Sequence, residues 1–416
     1  RALTGTRGLP KGADKALAQA LSAELSAEQR SAVELSLQSG LLVLTGGPGT
    51  GKTTAVRALL NAHRALGRRV ALCAPTGRAA KRLSEATSGE AQTIHRLLEF
   101  NPAGGSFQRD ADTPLDADIV LVDEASMLDL LLGQSLLRAL PKGCSLVLVG
   151  DVDQLPPVGA GPLLRELIRS GACPVVRLTQ IFRQAQRSAI VRGAHAILHG
   201  QRPTPTPSGQ RGDGDLFVIR AHEPELAAQR VIDTLGRVFA AYGLDPKRDV
   251  QVLSPMRKGP LGVTRLNELL QHALNPNGEG SVPGRLRRGD KVMQLRNDYD
   301  REVFNGDLGV VLEVGNEHVV IDFGGRRVSY DRDARDSLAL AYCSTIHKVQ
   351  GSEFPAVIVV LHTTHFVLLG RALLYTAITR AKRLAVIIGD DRAIGRAIHN
   401  TAEQRTNSRL EHRLLG

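Results

Sequence analysis

Short apolar runs alternate along this chain with longer stretches whose apolar positions recur three and four residues apart. Runs at 41–45, 69–74, 118–122, 145–150 and 174–178 have strand length and continuous apolar character, which predicts strands buried on both faces. The stretches 52–65, 77–88, 127–138 and 161–170 carry helical spacing. Such alternation predicts parallel βαβ units in a doubly wound α/β sheet. A second series follows, with strands expected at 215–219, 249–254, 341–344, 356–361 and 384–389.

Three stretches break the rhythm. Between Phe100 and Phe107 the chain is rich in turn residues, which predicts a small inserted hairpin within 96–117. The segment 187–214 is rich in Pro and Gly and reads as an exposed loop. Across 286–333, short alternating runs (289–295, 309–314, 318–323) separated by Gly and Asn turns predict a small inserted β-barrel. The breaks divide the chain into an N-terminal remnant or linker (1–25), a first domain (26–185) with the hairpin, and a second domain (186–285 and 334–416) with the barrel.

Length and charge narrow the class. The 416 residues suffice for two to four domains, and no apolar run approaches a membrane span. The chain opens on Arg1-Ala2-Leu3 without an initiator Met or signal-peptide pattern and reads as a piece of something longer. Cys73, Cys144, Cys173 and Cys343 are far apart and mostly flanked by apolar residues, which suggests buried thiols in a reducing cytosol. The net charge of +11 favours a polyanion partner, although a uniformly solvated basic surface has the same charge. With aromatics at 3%, extensive base stacking is not expected.

Specific chemistry enters at Gly46-Gly47-Pro48-Gly49-Thr50-Gly51-Lys52-Thr53-Thr54, between the first apolar run and a helical stretch. Here Gly47, Gly49, Thr50, Gly51, Lys52, Thr53 and Thr54 fit a phosphate-cradling loop at a helix N-terminus. Lys52 would meet the β- and γ-phosphates, and the Thr53 hydroxyl would ligate Mg²⁺. Asp123-Glu124 ends a strand run, where one carboxylate suits a metal ion and the other the attacking water, or both suit a helix N-terminus. Gln154, in the polar turn after 145–150, would emerge at the sheet's C-terminal edge unless that turn is only a Pro-stiffened loop. Arg183 and Arg380 stand at the end of the first series and late in the second, and spacing alone does not separate them from surface charges.

In order, Gly46 to Thr54, Asp123-Glu124, Gly150 to Pro157, Phe182-Arg183, Thr345-Ile346-His347-Lys348-Val349-Gln350-Gly351-Ser352-Glu353 and Tyr375 to Arg383 resemble the motif series of superfamily 1 helicases. The forms Asp-Glu-Ala-Ser and Gly-Asp-Val-Asp-Gln-Leu-Pro-Pro-Val, and the inserted barrel, are similar to the RecD-like branch. The resemblance implies two RecA-like motor domains with ATP and Mg²⁺ in a cleft between them. It implies adenine contacts from Gln29 and Phe182, arginine fingers at Arg183 and Arg380, and a nucleotide-facing turn at Gly351 and Glu353. Asp123 would hold the metal, Glu124 would activate water and Gln154 would sense the γ-phosphate.

Single-stranded DNA contacts are implied for Pro75, Thr76, Arg78, Thr93 and His95 in the first domain and Thr345, His347 and Gln350 in the second. Either histidine also suits a packed core position. Movement 5′→3′ is implied, since Leu155-Pro156-Pro157-Val158 lacks the aromatic residues that the opposite branch carries after Gln154. The hairpin, if not a plain solvent loop, would wedge apart duplex strands. The resulting expectation is a bacterial, cytoplasmic, monomeric DNA helicase of repair and recombination, with any protein partner docking through a region before residue 1. The alternatives are a motor subunit of a recombination nuclease complex or of a conjugative relaxase, and a nucleotide switch that does not translocate.

Overall fold

The computed structural model describes residues 8–20, 24–102, 104–207, 214–278, 286–298, 300–402 and 410–415; the side chains of Arg183, Gln184, Phe239 and Leu415 lie outside the described residues. The chain divides into two compact units, one of residues 1–186 with 403–416 and one of 187–402.

The first unit is built on strands β1 (Leu41–Gly46), β2 (Val70–Ala74), β3 (Ala91–Thr93), β4 (Phe100–Asn101), β5 (Ser106–Phe107), β6 (Ile119–Val122), β7 (Ser145–Gly150) and β8 (Val175–Leu178). Six of them form one sheet in the order β3-β2-β6-β7-β1-β8, paired in parallel throughout. The helices are α1 (Ala13–Ala20), α2 (Ala27–Gln38), α3 (Lys52–Ala65), α4 (Gly77–Thr87), α5 (Ile94–Leu97), α6 (Leu130–Arg138), α7 (Leu163–Ser170) and α8 (Arg183–Gln186). Separate cores lie on the two faces of the sheet. Leu42, Leu44, Leu121 and Val149 join α2 and α3 on one side, while Val43, Val120, Leu146 and Leu148 join α6 and α7 on the other. Continuous apolar strands follow from this two-sided burial.

The second unit contains α9 (Ala189–Leu198), β9 (Leu216–Arg220), α10 (Pro224–Tyr242), β10 (Val250–Ser254), α11 (Val263–Leu274), β11 (Lys291–Gln294), β12 (Leu308–Val314), β13 (His318–Asp322), β14 (Arg327–Asp331) and β15 (Leu338–Leu340). It continues through β16 (Cys343–Thr345), β17 (Phe354–Leu361), α12 (Arg371–Ile378), β18 (Ala381–Gly389) and α13 (Asp391–His399). Its parallel sheet runs β16-β10-β17-β18-β9, and its antiparallel sheet runs β14-β13-β12-β11-β15. The mount between them is Asp290, which is fully buried and accepts from Gln271 Nε2 (2.6 Å), Asn275 Nδ2 (2.7 Å), the Arg287 backbone N–H (2.6 Å) and the Tyr342 hydroxyl (2.9 Å). One carboxylate thereby ties the inserted sheet to α11.

Several elements differ from expectation. The segment 187–214 holds α9, whose Ala189, Ile190, Gly193, Ala194 and Ile197 are buried. Their one-sided spacing outweighs the prolines, which begin only at Pro203. The helix expected at 127–138 begins at Leu130, because Asp129 takes the N-cap and its carboxylate accepts from Leu132 N. The strand expected at 341–344 is β16, and a separate short strand just before it, β15, joins the antiparallel sheet. Before residue 25, α1 packs Ala13, Ala16 and Ala20 into the first unit. A final helix, α14 (Leu410–Leu415), belongs to the first unit, where Leu410 and Leu414 meet the α6–α7 core and Glu166 accepts from Glu411 N. Among the described residues, no helix is long and apolar enough to cross a membrane. All four cysteines are buried and none is in a disulfide, and burial pushes the Cys173 thiol up to about 11.

His63 joins α3 to α2 with both ring nitrogens engaged. The Ser36 hydroxyl donates to Val33 O, so it accepts from His63 Nε2 (3.1 Å), while Arg68 Nη1 donates to Nδ1 (3.1 Å). Burial and the neighbouring guanidinium push His63 down from 6.5 to about 3. As pH falls, the unfolded chain takes the proton first, so this stabilisation is complete above about 6.5 and is lost towards 3. The loss is at most about 1.4 kcal/mol per pH unit. We expect urea denaturation of the wild type to weaken more steeply between pH 7 and 5 than that of His63→Leu. Parallel pH slopes would remove His63 as the cause.

Candidate nucleotide and DNA site

Three adjacent central strands, β6, β7 and β1, deliver Asp123-Glu124, Gln154 and the glycine loop to one edge of the first sheet. The loop turns into α3 through Gly51, which sits at φ 79° as the N-cap. A Cβ at Gly51 would stand 2.4 Å from Gln29 Nε2 and 2.6 Å from Phe182 Cε2, so only glycine fits. Gln29 is fully buried beneath this turn. Its Nε2 donates to Gly51 O (3.1 Å) and its Oε1 accepts from Ser26 N (2.9 Å), closing a capping box at the start of α2. Both ends of its amide therefore brace the loop. Phe182 is tied to the same loop by its N–H to Gly49 O (3.3 Å).

Inside the loop, Lys52 Nζ donates to Gly46 O (2.7 Å) and Gly47 O (3.0 Å), and Thr50 Oγ1 donates to Gly47 O (2.8 Å). Thr53 and Thr54 are exposed on the first turn of α3. Burial, and then the Glu124 charge, push Asp123 well above its usual value, while Lys52 and Arg82 act in the opposite sense. The two adjacent carboxylates are hard oxygen donors of the kind that Mg²⁺ takes, and they fit that ion. Among the described residues, no three His, Cys, Asp or Glu side chains gather as a metal cage.

Glu124 has a left-handed backbone, with φ 52° and ψ 37°. For a residue with a Cβ this is strained, and such strain concentrates at functional sites. The turn after it crosses Gly150, where a Cβ would meet Ser126 N at 2.9 Å. Gln154 is buried, and its Nε2 donates to Asp151 Oδ2 (3.1 Å). The turn that carries it is pinned by Val152 N donating to Thr45 Oγ1 (3.3 Å) and by Arg165 Nη2 donating to Val152 O (3.1 Å). Sequence reading missed Asp151 and Arg82 in this group. Arg82 Nη1 lies 3.7 Å from Glu124 Oε1.

The DNA candidates of the first unit lie beyond β2 and β3, at the other end of the same edge. Pro75 and Thr76 follow β2. Thr76 caps α4 by accepting from Ala79 N, Arg78 lies in the first turn of α4, and Thr93 caps α5 by accepting from Arg96 N. His95 is set differently. Its ring packs against both Phe100 and Phe107, with centroids 5.6 Å from each, and the two phenyl rings are themselves 5.2 Å apart. The imidazole is thus the base on which the β4–β5 hairpin stands, and burial lowers its proton affinity.

In the second unit, Thr345 ends β16 and His347 is exposed on the following turn, while Gln350 is buried. Gly351 has φ 71°, and Glu353 lies 3.4 Å from Lys382 Nζ. Arg380 is 3% exposed and donates to Thr376 O, Ser352 O and Thr379 Oγ1, which fixes it between α12 and the 351–353 turn. The side chain of Arg183 lies outside the described residues.

A parallel sheet with a phosphate loop, a strand-end acid pair and a neighbouring glutamine defines a P-loop nucleoside-triphosphatase unit. The AAA domain family matches residues 29–160, the ATP-dependent RecD-like DNA helicase SH3 domain matches 266–323, and the UvrD-like helicase C-terminal domain matches 340–388. The chain is 43% identical over 390 residues to the ATP-dependent RecD2 DNA helicase of Deinococcus radiodurans, covering 93% of this chain and 52% of that protein. It is 34% identical over 435 residues to the RecBCD enzyme subunit RecD of Mycobacterium tuberculosis, covering 94% and 73%. The chain belongs to the RecD-like family of superfamily 1 helicases. It spans about half the length of the RecD2 helicase that it matches.

Two solved structures share the fold. One shows two coordinating Pif1 helicases at forked double-stranded DNA (TM-score 0.56, 21% identity, 92% of this chain and 96% of that one). The other is Pif1 helicase from Bacteroides with ADP-AlF3 and single-stranded DNA (TM-score 0.50, 20% identity, 90% and 94%). At these identities they establish architecture alone, namely RecA-like α/β sheets with an SH3-like insertion.

If His95 carries the hairpin, His95→Ala removes two ring contacts, each worth about 0.5–1.5 kcal/mol. We expect backbone amides near 100–107 to exchange hydrogen roughly tenfold faster in His95→Ala, with His95→Phe close to the wild type. Unchanged exchange in His95→Ala would show that the hairpin holds without it.

Proposed function

We propose that this chain is the motor portion of an ATP-dependent DNA helicase that moves 5′→3′ on single-stranded DNA and unwinds duplex in repair and recombination. The observation that carries the reading is the division of one sheet edge in the first unit. Phosphate-type groups lie beyond β1, β6 and β7, and hydroxyl and guanidinium groups suited to a nucleic-acid backbone lie beyond β2 and β3. The net charge of +11 supports a polyanionic partner.

In this reading, Lys52 and the loop from Gly47 through Gly49, Thr50 and Gly51 to Thr53 and Thr54 bind the triphosphate, and Gln29 and Phe182 border the adenine. Thr53 and Asp123 hold Mg²⁺, which offsets charge on the phosphates. Glu124 takes a proton from the attacking water, and Gln154 orients that water against the γ-phosphate. Arg183 and Arg380 act as fingers from the two domains, with Gly351 and Glu353 alongside. Pro75, Thr76, Arg78, Thr93, His95, Thr345, His347 and Gln350 track the strand, and ATP binding shifts the domains towards a closed form. The domain division at about residue 186, a monomeric state and a place in the bacterial cytoplasm belong to the same proposal. The RecBCD subunit relatives favour one variant, a motor that docks with protein partners through sequence outside this chain.

Lys52→Ala should nearly abolish ATP turnover while single-stranded DNA binding persists. Glu124→Gln should bind ATP normally yet stall hydrolysis, since an amide accepts no proton. Turnover near wild type in either variant would remove the corresponding role.

Arg183→Ala and Arg380→Ala should each lower kcat strongly, by up to about 10³ for arginine fingers, and change ATP KM less. Normal hydrolysis by both would rule out a two-domain cleft.

Leu155-Pro156-Pro157 offers no ring to stack bases, which supports tracking through the backbone and 5′→3′ movement. A 5′-tailed duplex should therefore unwind and a 3′-tailed one should not. Replacing 102–110 with a short Gly-Ser turn should abolish unwinding and spare DNA-stimulated ATPase. Full unwinding by that variant would place the wedge elsewhere.

A further inference from the structure

Helix α4 links the two ends of the first unit's site. Its N-cap is Thr76, its first turn carries Arg78, and Arg82 follows one turn later on the same face. Arg82 Nη1 stands 3.7 Å from Glu124 Oε1, with the arginine side chain 39% and the glutamate side chain 15% exposed. This is an ion pair without hydrogen-bond geometry, so it is readily broken. The strand before α4 also pairs with the strand before Glu124, with Cys73 opposite Val122 and Asp123 N donating to Cys73 O.

The start of the helix is seated more lightly than its later turns. Its first turn rests on a small cluster of Ala74, Ala79 and Ala80, whose methyl groups interlock little, while Leu83 and Thr87 anchor the turns that follow. Glu124, by contrast, is held at its backbone by the left-handed turn and by its own N–H donating to Asp123 Oδ1 (2.9 Å). The side chain of Glu124 therefore responds to its neighbours, and one cation across from it, Arg82, is carried on the helix whose start holds the DNA candidates Thr76 and Arg78. A guanidinium beside a carboxylate draws the side chain towards the cation.

We propose that Arg82 is a positioning residue that restrains Glu124 until DNA engages the start of α4, so that one helix of the first unit makes ATP hydrolysis responsive to DNA. Phosphate contacts at Thr76 and Arg78 shift α4, Arg82 moves with it, and Glu124 turns to the attacking water. The proposal rests on the reading of Glu124 as the base.

The test measures turnover of the full chain at saturating ATP, without DNA and with saturating oligo(dT), for wild type, Arg82→Ala, Arg82→Lys and Glu124→Gln. Arg82→Ala should raise DNA-free kcat about 2- to 5-fold, the equivalent of a weak ion pair. It should leave DNA-saturated kcat and the oligo(dT) Kd within about twofold, so the stimulation ratio falls, and Arg82→Lys should lie between the two. Unchanged DNA-free kcat together with weaker oligo(dT) binding would make Arg82 a DNA contact and overturn the proposal. A fall in kcat under both conditions would make it a support for Glu124 and overturn it as well. Wild-type turnover indifferent to oligo(dT), or undiminished in Glu124→Gln, would instead overturn the underlying reading, and the proposal with it.

Discussion

The parallel registration of β6, β7 and β1 is the constraint on which the rest of the first unit depends. Leu148 sits opposite Val43 on one side and Val122 on the other, so the three strands leave the sheet at one level. Parallel strands all point their C-terminal ends the same way, and ligands of open α/β sheets bind there. The phosphate loop, Asp123-Glu124 and the Gln154 turn come together for this reason, though they are far apart in sequence. A one-residue slip would turn their apolar side chains to the wrong core face and separate the loops.

Strain and desolvation are concentrated where those loops meet. Asp123 and Glu124 lie side by side, partly removed from water, and Glu124 holds a left-handed backbone. Each of these costs free energy that the two apolar cores on either side must offset. The surrounding hydrogen bonds fix the turns rather than the acids. Gln29 braces Gly51, Asp151 holds Gln154, and Thr45 and Arg165 pin the intervening backbone. Of the neighbouring charges, Lys52 and Arg82 act against the acid pair.

The second unit uses buried polar hubs for a different purpose. Asp290 accepts four hydrogen bonds from α11, the Arg287 backbone and Tyr342, so the inserted sheet has one defined seat on the parallel sheet. Each of its oxygens accepts two of these bonds, so removing a donor would leave a buried carboxylate oxygen with one bond fewer in a place water does not reach, which is why such hubs specify geometry. Arg380 is likewise immobilised by backbone carbonyls. A guanidinium held in this way loses little side-chain entropy when an anion arrives.

The sequence by itself determined the α/β alternation, the phosphate loop, the acid pair and the family, because strand burial and phosphate chemistry are written in local patterns. Residue types at fixed spacing suffice for a glycine turn into a helix or an apolar strand ending in Asp123-Glu124. Only the tertiary structure decided what lies across from them. It gave His95 to the hairpin's phenyl rings, buried the amide of Gln29 under Gly51, set Arg82 against Glu124 and made Asp290 a hub. It also assigned α14 to the first unit and split 338–345 between two sheets. Each of these is a contact between residues distant in the chain, and local pattern carries no record of which distant partner a side chain will meet.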